Sequence, residues 1–562
     1  MSGSSGPLTV QAIAGTNVVI LGIDHDRGRM AGVHGFGIER LDHTEGERRW
    51  LTNQLRFPGV GAHWGTNFNP LQTFVWGDYR AKPDHLYSYV VHTMAGRPGS
   101  ELQSRDSVTV QVKTGHPDVH GVWFNRGVFA SQAYAERFDD KPPDQVPDNA
   151  AWRWLSRGLE EALLAFIGQA ADASWELHAA FYEFQHPAIL GAFAVAARAG
   201  ATVRLVVDAN NPKNHAAVDT AGIKDLIETW HANAVIPHNK FLVASRHGSP
   251  VAVWTGSTNI TDNGLFGQSN VGHAVREPAL AATYLTYWTQ LAGDPPYSTL
   301  NDWVDANNPI PDSWGTGTNV VFSPHTRTTA LDRYAALFGA ASDLACGTFP
   351  FTLDSRFGRL LPGEHTAIRW LLFEDPEEAK KAAAVVTDPN TVLVAGAFLP
   401  AHALAGFLPE LKNPLSNNVE YVHSKYLLLD PLGDDPIVIT GSANFSAAST
   451  NRNEENLLVI RGNTAVAEIY FTEFFRLFAH YRFRYSLQLQ PHQPTPGPET
   501  NTEAAVGLDP GDNWWPKYFD EPGRVRQRQF LAGTALFAGA QETLRRQAGS
   551  SSTTGIVGPR WS

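Results

Sequence analysis

The chain has 562 residues, 43% hydrophobic and 18% charged, with a formal net charge of −12. That length exceeds what one hydrophobic core supports, so two or more domains are expected, and the acidic balance disfavours a broadly basic nucleic-acid-binding surface. A single cysteine, Cys346, excludes an internal disulfide and a cysteine-rich metal site, and no apolar run reaches the about eighteen residues of a membrane span.

Met1 to Pro7 has neither the basic nor the apolar region of a secretory signal, which makes cytoplasmic residence the default and leaves a specialised export route open. Residues 8 to 115 carry short alternating runs, such as Val108-Thr109-Val110-Gln111-Val112-Lys113, Leu71 to Trp76 and Leu86 to Val91. Links such as Trp76-Gly77-Asp78-Tyr79 and Ala95 to Gly99 read as turns. The expectation for 1–115 is an N-terminal all-β sandwich with a docking or lid role. Asp24, His25, Asp26, His34 and Asp42 are spaced too irregularly for a metal site and read as turn and surface residues, so no metal and no cofactor is expected.

From residue 116 the pattern becomes α/β. Trp152, Leu155, Leu159, Leu163 and Phe166 recur at helical spacing, and Leu177 to Phe184 reads as a strand. Pro187 opens a helix that Gly200 closes, and Thr202 to Asp208 is the next strand, which together make a parallel crossover unit. Asp302 to Pro311 reads as a connector between two lobes, 116–300 and 301–487. The second lobe repeats the order, with a helix at Leu331 to Phe338, a strand at Thr348 to Leu353, a helix at Glu377 to Ala382 and a strand at Thr391 to Gly396. Cys346 falls in a buried strand as a core thiol, and Ile460 to Phe483 reads as a helix with a phenylalanine stripe. Residues 488–562 read as a proline-rich linker and tail, with Trp514, Trp515 and Arg524 to Arg546 as a docked helical part and Ser550 to Ser562 disordered.

Within this frame one stretch answers another. Val422-His423-Ser424-Lys425-Tyr426 is followed by Gly441-Ser442-Ala443-Asn444, and Pro237-His238-Asn239-Lys240-Phe241 by Gly256-Ser257-Thr258-Asn259. In both copies the glycine stands 18 residues and the asparagine 21 residues after the histidine. Each copy reads as a strand hairpin that puts histidine and lysine on one face and delivers Gly-Ser-x-Asn to the same sheet end. Two such hairpins facing each other would offer two imidazoles, two ammoniums and two amides to one anionic group, an inventory that suits a phosphodiester. His178, His186 and His231 lack this context and read as packing residues.

The paired H-x-K and G-S-x-N pattern resembles the phospholipase D superfamily over roughly residues 120 to 485. The resemblance implies a bilobal α/β fold with pseudo-two-fold lobes and metal-independent cleavage of phosphodiesters through a phosphohistidine. It assigns catalysis to His238, Lys240, Asn259, His423, Lys425, Asn444 and Glu455, with Ser257, Ser442, Asp430, Gln268 and Asn270 in phosphate-binding or supporting positions. The second copy has Asp430 seven residues after its histidine, where the first has Ser245. Eleven residues after the asparagine, where the family often places an orienting carboxylate, stand Glu455 and Asn270. On this reading Glu455 serves His423 and makes it the protonated acid, while His238, held by amides, stays neutral and attacks. The expected substrate is a phospholipid headgroup ester, hydrolysed or transferred to an alcohol, with peripheral contact to a membrane surface and a monomer as default. A nuclease of the same superfamily and a catalytically weakened scaffold are the alternatives.

Overall fold

The computed structural model describes all residues except 59–62, 129–130, 400–407, 409, 411, 417–418, 490–506, 512 and 536–562. It divides into two compact units, Met1–Asp118 with the described part of His492–Ser562, and Val119–Pro491. In the first unit two four-stranded antiparallel sheets share one core. One contains Ser2–Ser5, Leu8–Ala14, Val19–His25 and Val75–Asp78; the other contains Glu47–Trp50, Val33–Asp42, Leu86–Ala95 and Gln103–Lys113. The alternation read at Val108 to Lys113 is the burial pattern observed: Val108, Val110 and Val112 face the core, and the residues between them face solvent.

Trp76, Gly77 and Asp78, expected as a turn, are instead strand. They pair with Val19 to Leu21, because buried Asp78 has partners there: Arg40 at 2.8 Å and the Tyr89 hydroxyl at 2.9 Å. The helices Lys517–Asp520 and Pro522–Leu531 belong to this unit, where Trp514 packs into the core and donates from Nε1 to the Val33 carbonyl at 2.8 Å. Asp24, Asp26 and Asp42 serve local structure. Asp24 pairs with Arg528, Asp26 accepts from Gly28 N–H, and Asp42 accepts from the N–H groups of Thr44 and Glu45. The expected proline-rich linker and the tail beyond residue 535 lie outside the described residues.

The second unit is built on two seven-stranded sheets whose strand orders match position for position. The first runs Ile227–His231, Thr202–Asp208, Trp175–Phe181, Lys240–Arg246, Ser249–Gly256, Val271–Val275 and His120–Phe124. The second runs Thr391–Ala395, Ile368–Phe373, Leu344–Phe349, Tyr426–Leu429, Ile437–Gly441, Glu455–Arg461 and Gly317–Ser323. In each, the first three strands are parallel, as crossover helices require, and the rest antiparallel. Ile368–Phe373 is buried along its whole length, as expected of a central strand covered on both faces.

Two helices carry aromatic rings to both sheets. On Pro278–Ala292, Trp288 donates to the Ala179 carbonyl of the first sheet at 2.8 Å, while Tyr287 stacks on Phe322 of the second at 4.1 Å. On Thr464–Gln488, Tyr470 meets Phe124 of the first sheet at 5.2 Å and Tyr426 of the second at 5.4 Å. The phenylalanine stripe of this helix is core, packed on Trp370. Residues 302–307 of the expected connector are instead the end of the helix Tyr297–Asn307, whose buried Leu300 and Val304 hold that stretch against the protein. Among the described residues no helix is long and apolar enough to cross a membrane.

Candidate active site

The two motif strands start two residues after the motif histidine in the first copy, at Lys240, and three residues after it in the second, at Tyr426. Each histidine therefore stands just before its ladder, at the junction of the two sheets. There the backbones cross: Ser269 N–H donates to the Tyr421 carbonyl at 2.8 Å, His423 N–H to Ser269 at 3.2 Å, and Glu454 N–H to Ile236 at 3.0 Å. Gly256 and Gly441 end the returning strands, each packed against the neighbouring strand of its own sheet. A Cβ on either would lie 2.2 Å from the carbonyl oxygen of the adjoining strand, Val271 or Asn456, so no larger residue fits.

His238, His423, Asn259 and Asn444 line one cavity of about 720 Å³. The lysines lie behind it, buried, and each Nζ donates to the carbonyl of its own motif histidine, Lys240 at 2.7 Å and Lys425 at 2.6 Å. Burial lowers Lys240 to about 8, and burial together with Lys240 lowers Lys425 well below its usual value. Asn259 donates to the Glu183 carboxylate, and the amide oxygens of Asn259 and Asn444 have no hydrogen-bond partner among the described residues.

The orienting groups are crossed between the lobes, which overturns the expected assignment of Glu455 to His423. His238 Nδ1 lies 2.8 Å from Glu455 Oε2, and His423 Nδ1 lies 2.9 Å from Asn270 Oδ1. The cause is the junction geometry: Glu455 opens the strand Glu455–Arg461 and Asn270 immediately precedes Val271–Val275, at the ends where the two sheets meet, so each reaches the other lobe's imidazole. The first histidine thus has the carboxylate and the second the amide. Burial, then Lys240 and Lys425, push the His238 imidazole down, and burial lifts Glu455 to about 7. Burial and the same two ammoniums also push His423 well below its usual value.

The serines support these partners from beneath. Ser257 Oγ donates to Asn270 Oδ1 at 2.8 Å, and Ser442 Oγ accepts from Asn456 N–H at 3.0 Å and bonds the Glu455 carboxyl. Gln268 lines the cavity and accepts from Asn263. Asp430 is not in the site. It stands after the far end of Tyr426–Leu429, where its carboxylate accepts from the N–H groups of Ser342, Asp343 and Leu344 at 2.9, 2.7 and 3.0 Å. Seven residues of extended chain carry it away from the histidine. His178, His186 and His231 make packing or ionic contacts; His186 lies between Asp262 and Glu160, and His231 between Asp294 and Glu454.

The motif reading missed several wall residues. Glu183 and Phe351 each stand two residues beyond the end of the equivalent strands Trp175–Phe181 and Leu344–Phe349, and both line the cavity. Lys213, Gln185 and Asp262 extend the polar wall of the first lobe, while Leu415, Val419 and Ile236 extend an apolar one with Phe351. Phe351 is 49% and Ile236 38% exposed, so the cavity opens past an apolar lip. Glu374 was missed as well; its buried carboxylate accepts from the N–H groups of Glu420, Tyr421 and Val422 and fixes the approach to His423. Counting residues beyond matching strand ends would have found Glu183 and Phe351; no sequence signal marks Glu374.

The cavity thus brings two imidazoles together, with two buried ammoniums behind them. The family model for the cardiolipin synthase, PLD-like domain, matches residues 163–291 and 392–477, the two segments that carry the motifs. Those two segments of the chain are similar to a phospholipase D-like domain. No curated protein sequence matches it. Among solved structures it is similar to polyphosphate kinase from Porphyromonas gingivalis, at 12% identity over 67% of this chain and 57% of that one, with a TM-score of 0.37. It thus spans little more than half the length of that kinase. It is also similar to phosphatidylserine synthase of Haemophilus influenzae Rd KW20, at 10% identity over 68% and 94% with a TM-score of 0.39. A third is Nuc, a phospholipase D family member from Salmonella typhimurium, at 25% identity over 24% and 87% with a TM-score of 0.21.

Proposed function

We propose that the protein cleaves a lipid-linked phosphodiester by the phospholipase D route, with His238 as nucleophile and His423 as its proton-transfer partner. The observation that carries this reading is the crossed support of two imidazoles on one cavity wall. With Nδ1 of each engaged by the opposite lobe, Nε2 is the nitrogen of each ring that can reach a bound phosphorus. Ionised Glu455 fixes the hydrogen on His238 Nδ1 and leaves the Nε2 lone pair for attack. As the P–N bond forms, negative charge grows on the equatorial oxygens, where Lys240, Lys425, Asn259 and Asn444 supply cations and donors. Water or an alcohol then attacks the phosphohistidine, with His423 taking its proton. A substrate with an apolar portion is supported by the lip at Ile236 and Phe351 and the Leu415 and Val419 wall.

The test is turnover of phosphatidylcholine, phosphatidylethanolamine and an aryl phosphatidyl ester presented in mixed micelles, with His238→Ala and His423→Ala as controls. Activity in the wild type that both substitutions reduce is the expected result; equal rates in wild type and variants would remove the reading.

A further inference from the structure

The support given to His423 is a chain of oriented hydrogen bonds that fixes which atom donates at each link. Val271 N–H donates to Ser257 Oγ at 3.1 Å, so the Ser257 hydroxyl turns its own hydrogen to Asn270 Oδ1 at 2.8 Å. Asn270 Nδ2 donates to the Gly264 carbonyl at 2.8 Å, which settles the amide orientation and leaves Oδ1 as the atom facing His423. Nδ1 of His423 must then be the donor in its 2.9 Å contact. In the neutral ring Nε2 carries a lone pair toward the cavity. An amide oxygen orients the ring as firmly as a carboxylate does, but it contributes no negative charge to hold an imidazolium.

Burial and the nearby ammoniums work in the same direction and outweigh the Ser257 backbone carbonyl, which favours a protonated ring. The ring is buried, and Lys425 and Lys240 are its nearest cations, with His238 beside it. Of the carboxyl groups that act on those lysines, Glu455 is bound to His238, and Glu183 lies on the His238 flank, hydrogen-bonded to Asn259. In-line displacement puts the leaving group on the opposite side of phosphorus from His238, away from Glu183.

Resting on the phosphodiesterase reading above, we infer that His423 enters the reaction as a neutral base, and that the substrate's leaving group departs as a stabilised anion, a phosphate or phenolate oxygen. Asn270 is the positioning residue that sets this preference. In the first step the His238 Nε2 lone pair forms the P–N bond and the P–O bond breaks with its electron pair staying on the leaving oxygen, which takes no proton from the protein. In the second step the acceptor oxygen attacks phosphorus, the P–N pair returns to His238 Nε2, and His423 Nε2 takes the acceptor's proton and later gives it to solvent. An anhydride phosphate, with a final pKa of about 6, leaves readily in this way. An alkoxide, whose parent alcohol is as weak an acid as water, does not. Loss of general-acid assistance typically costs about 10²- to 10⁴-fold, and that penalty falls on alkyl leaving groups alone.

The experiment compares two esters of one phosphatidic acid, with p-nitrophenol and with choline, in the full-length wild type and in Asn270→Asp. The wild type is expected to favour the p-nitrophenyl ester by about 100-fold or more in kcat, with a burst of p-nitrophenol, and Asn270→Asp to narrow that ratio by about tenfold or more. A wild-type ratio below about tenfold, or a ratio that Asn270→Asp leaves unchanged, would overturn the inference while leaving the phosphodiesterase reading standing. Absence of turnover and of phosphohistidine with both esters would instead remove that reading and the inference with it. Should Asn270→Asp fail to fold, nitrogen-15 chemical shifts of histidine-labelled wild type decide the matter: a neutral Nδ1–H ring at His423 at pH 6.5 supports it, and an imidazolium overturns it.

Discussion

The first and second motif hairpins share spacing, register and strand neighbours, and yet they hold their histidines differently. His238 receives a carboxylate from the second lobe, and His423 receives an amide from the first. The walls beyond the matching strands diverge in the same way, with Glu183 on one side and Phe351 on the other. A duplicated scaffold thus supplies two equivalent positions, and single residues at those positions give one imidazole a carboxylate partner and the other an amide. The backbone that makes the two halves alike is set by glycines with the same steric limit, Gly256 and Gly441; the chemistry that makes them unlike is set by side chains that cross the junction.

Substitutions at the histidines should break this comparison most severely. His238→Ala is expected to lower kcat by about 10⁴-fold or more, since no covalent intermediate can form. His423→Ala should cost more with an aryl ester, where the second step limits turnover, than with an alkyl one, and steady-state kinetics on both esters would reveal the difference. Glu455→Gln should come next, at about 10- to 100-fold in kcat/KM, the usual effect of removing an orienting partner. Its pH profile sharpens the point. Burial raises Glu455 to about 7, so the wild type should lose activity as pH falls through about 7, when the protonated carboxyl no longer accepts from Nδ1, and Glu455→Gln should lack that limb.

Asp430→Ala tests whether the second copy's extra carboxylate is chemical or structural. Removing an acceptor shared by three backbone N–H groups should lower stability by about 1–3 kcal/mol, read by denaturant titration, while kcat per folded molecule stays at the wild-type value. The smallest effect is expected at His186. Burial lowers its pKa, but Asp262 and Glu160 outweigh burial and raise it to about 9. Its contribution is therefore fully present below about pH 6.5 and lost as pH rises through about 9. His186→Asn should flatten the decline in Tm between pH 6.5 and 9.

Much of this was legible in the sequence because it rests on local rules. Alternation marked Val108 to Lys113, Pro187 and Gly200 bounded a helix, and equal offsets paired the two motifs. The stretch Trp76 to Asp78 was not legible: its turn-like composition is overridden by Arg40 and Tyr89, far away in sequence, which give Asp78 a buried partner set. The connector was misread for a similar reason, since Leu300 and Val304 bury a helix that runs through its asparagines. The partner of each histidine was the least legible feature. Eleven residues after a motif asparagine marks the right position, but which imidazole it serves depends on how the two sheets meet, and no spacing within one lobe encodes that.

The central claim is that His238 and His423 meet one phosphorus and that His238 carries it. The most direct measurement is to mix the protein with a phosphatidyl ester labelled in its phosphate, quench within one turnover in base, and map the phosphohistidine by peptide mass spectrometry. Label on His238, absent from His238→Ala and accumulating in His423→Ala with an aryl ester, is the expected result. Label on His423 in the wild type, or substrate turnover with neither histidine labelled, would contradict the account.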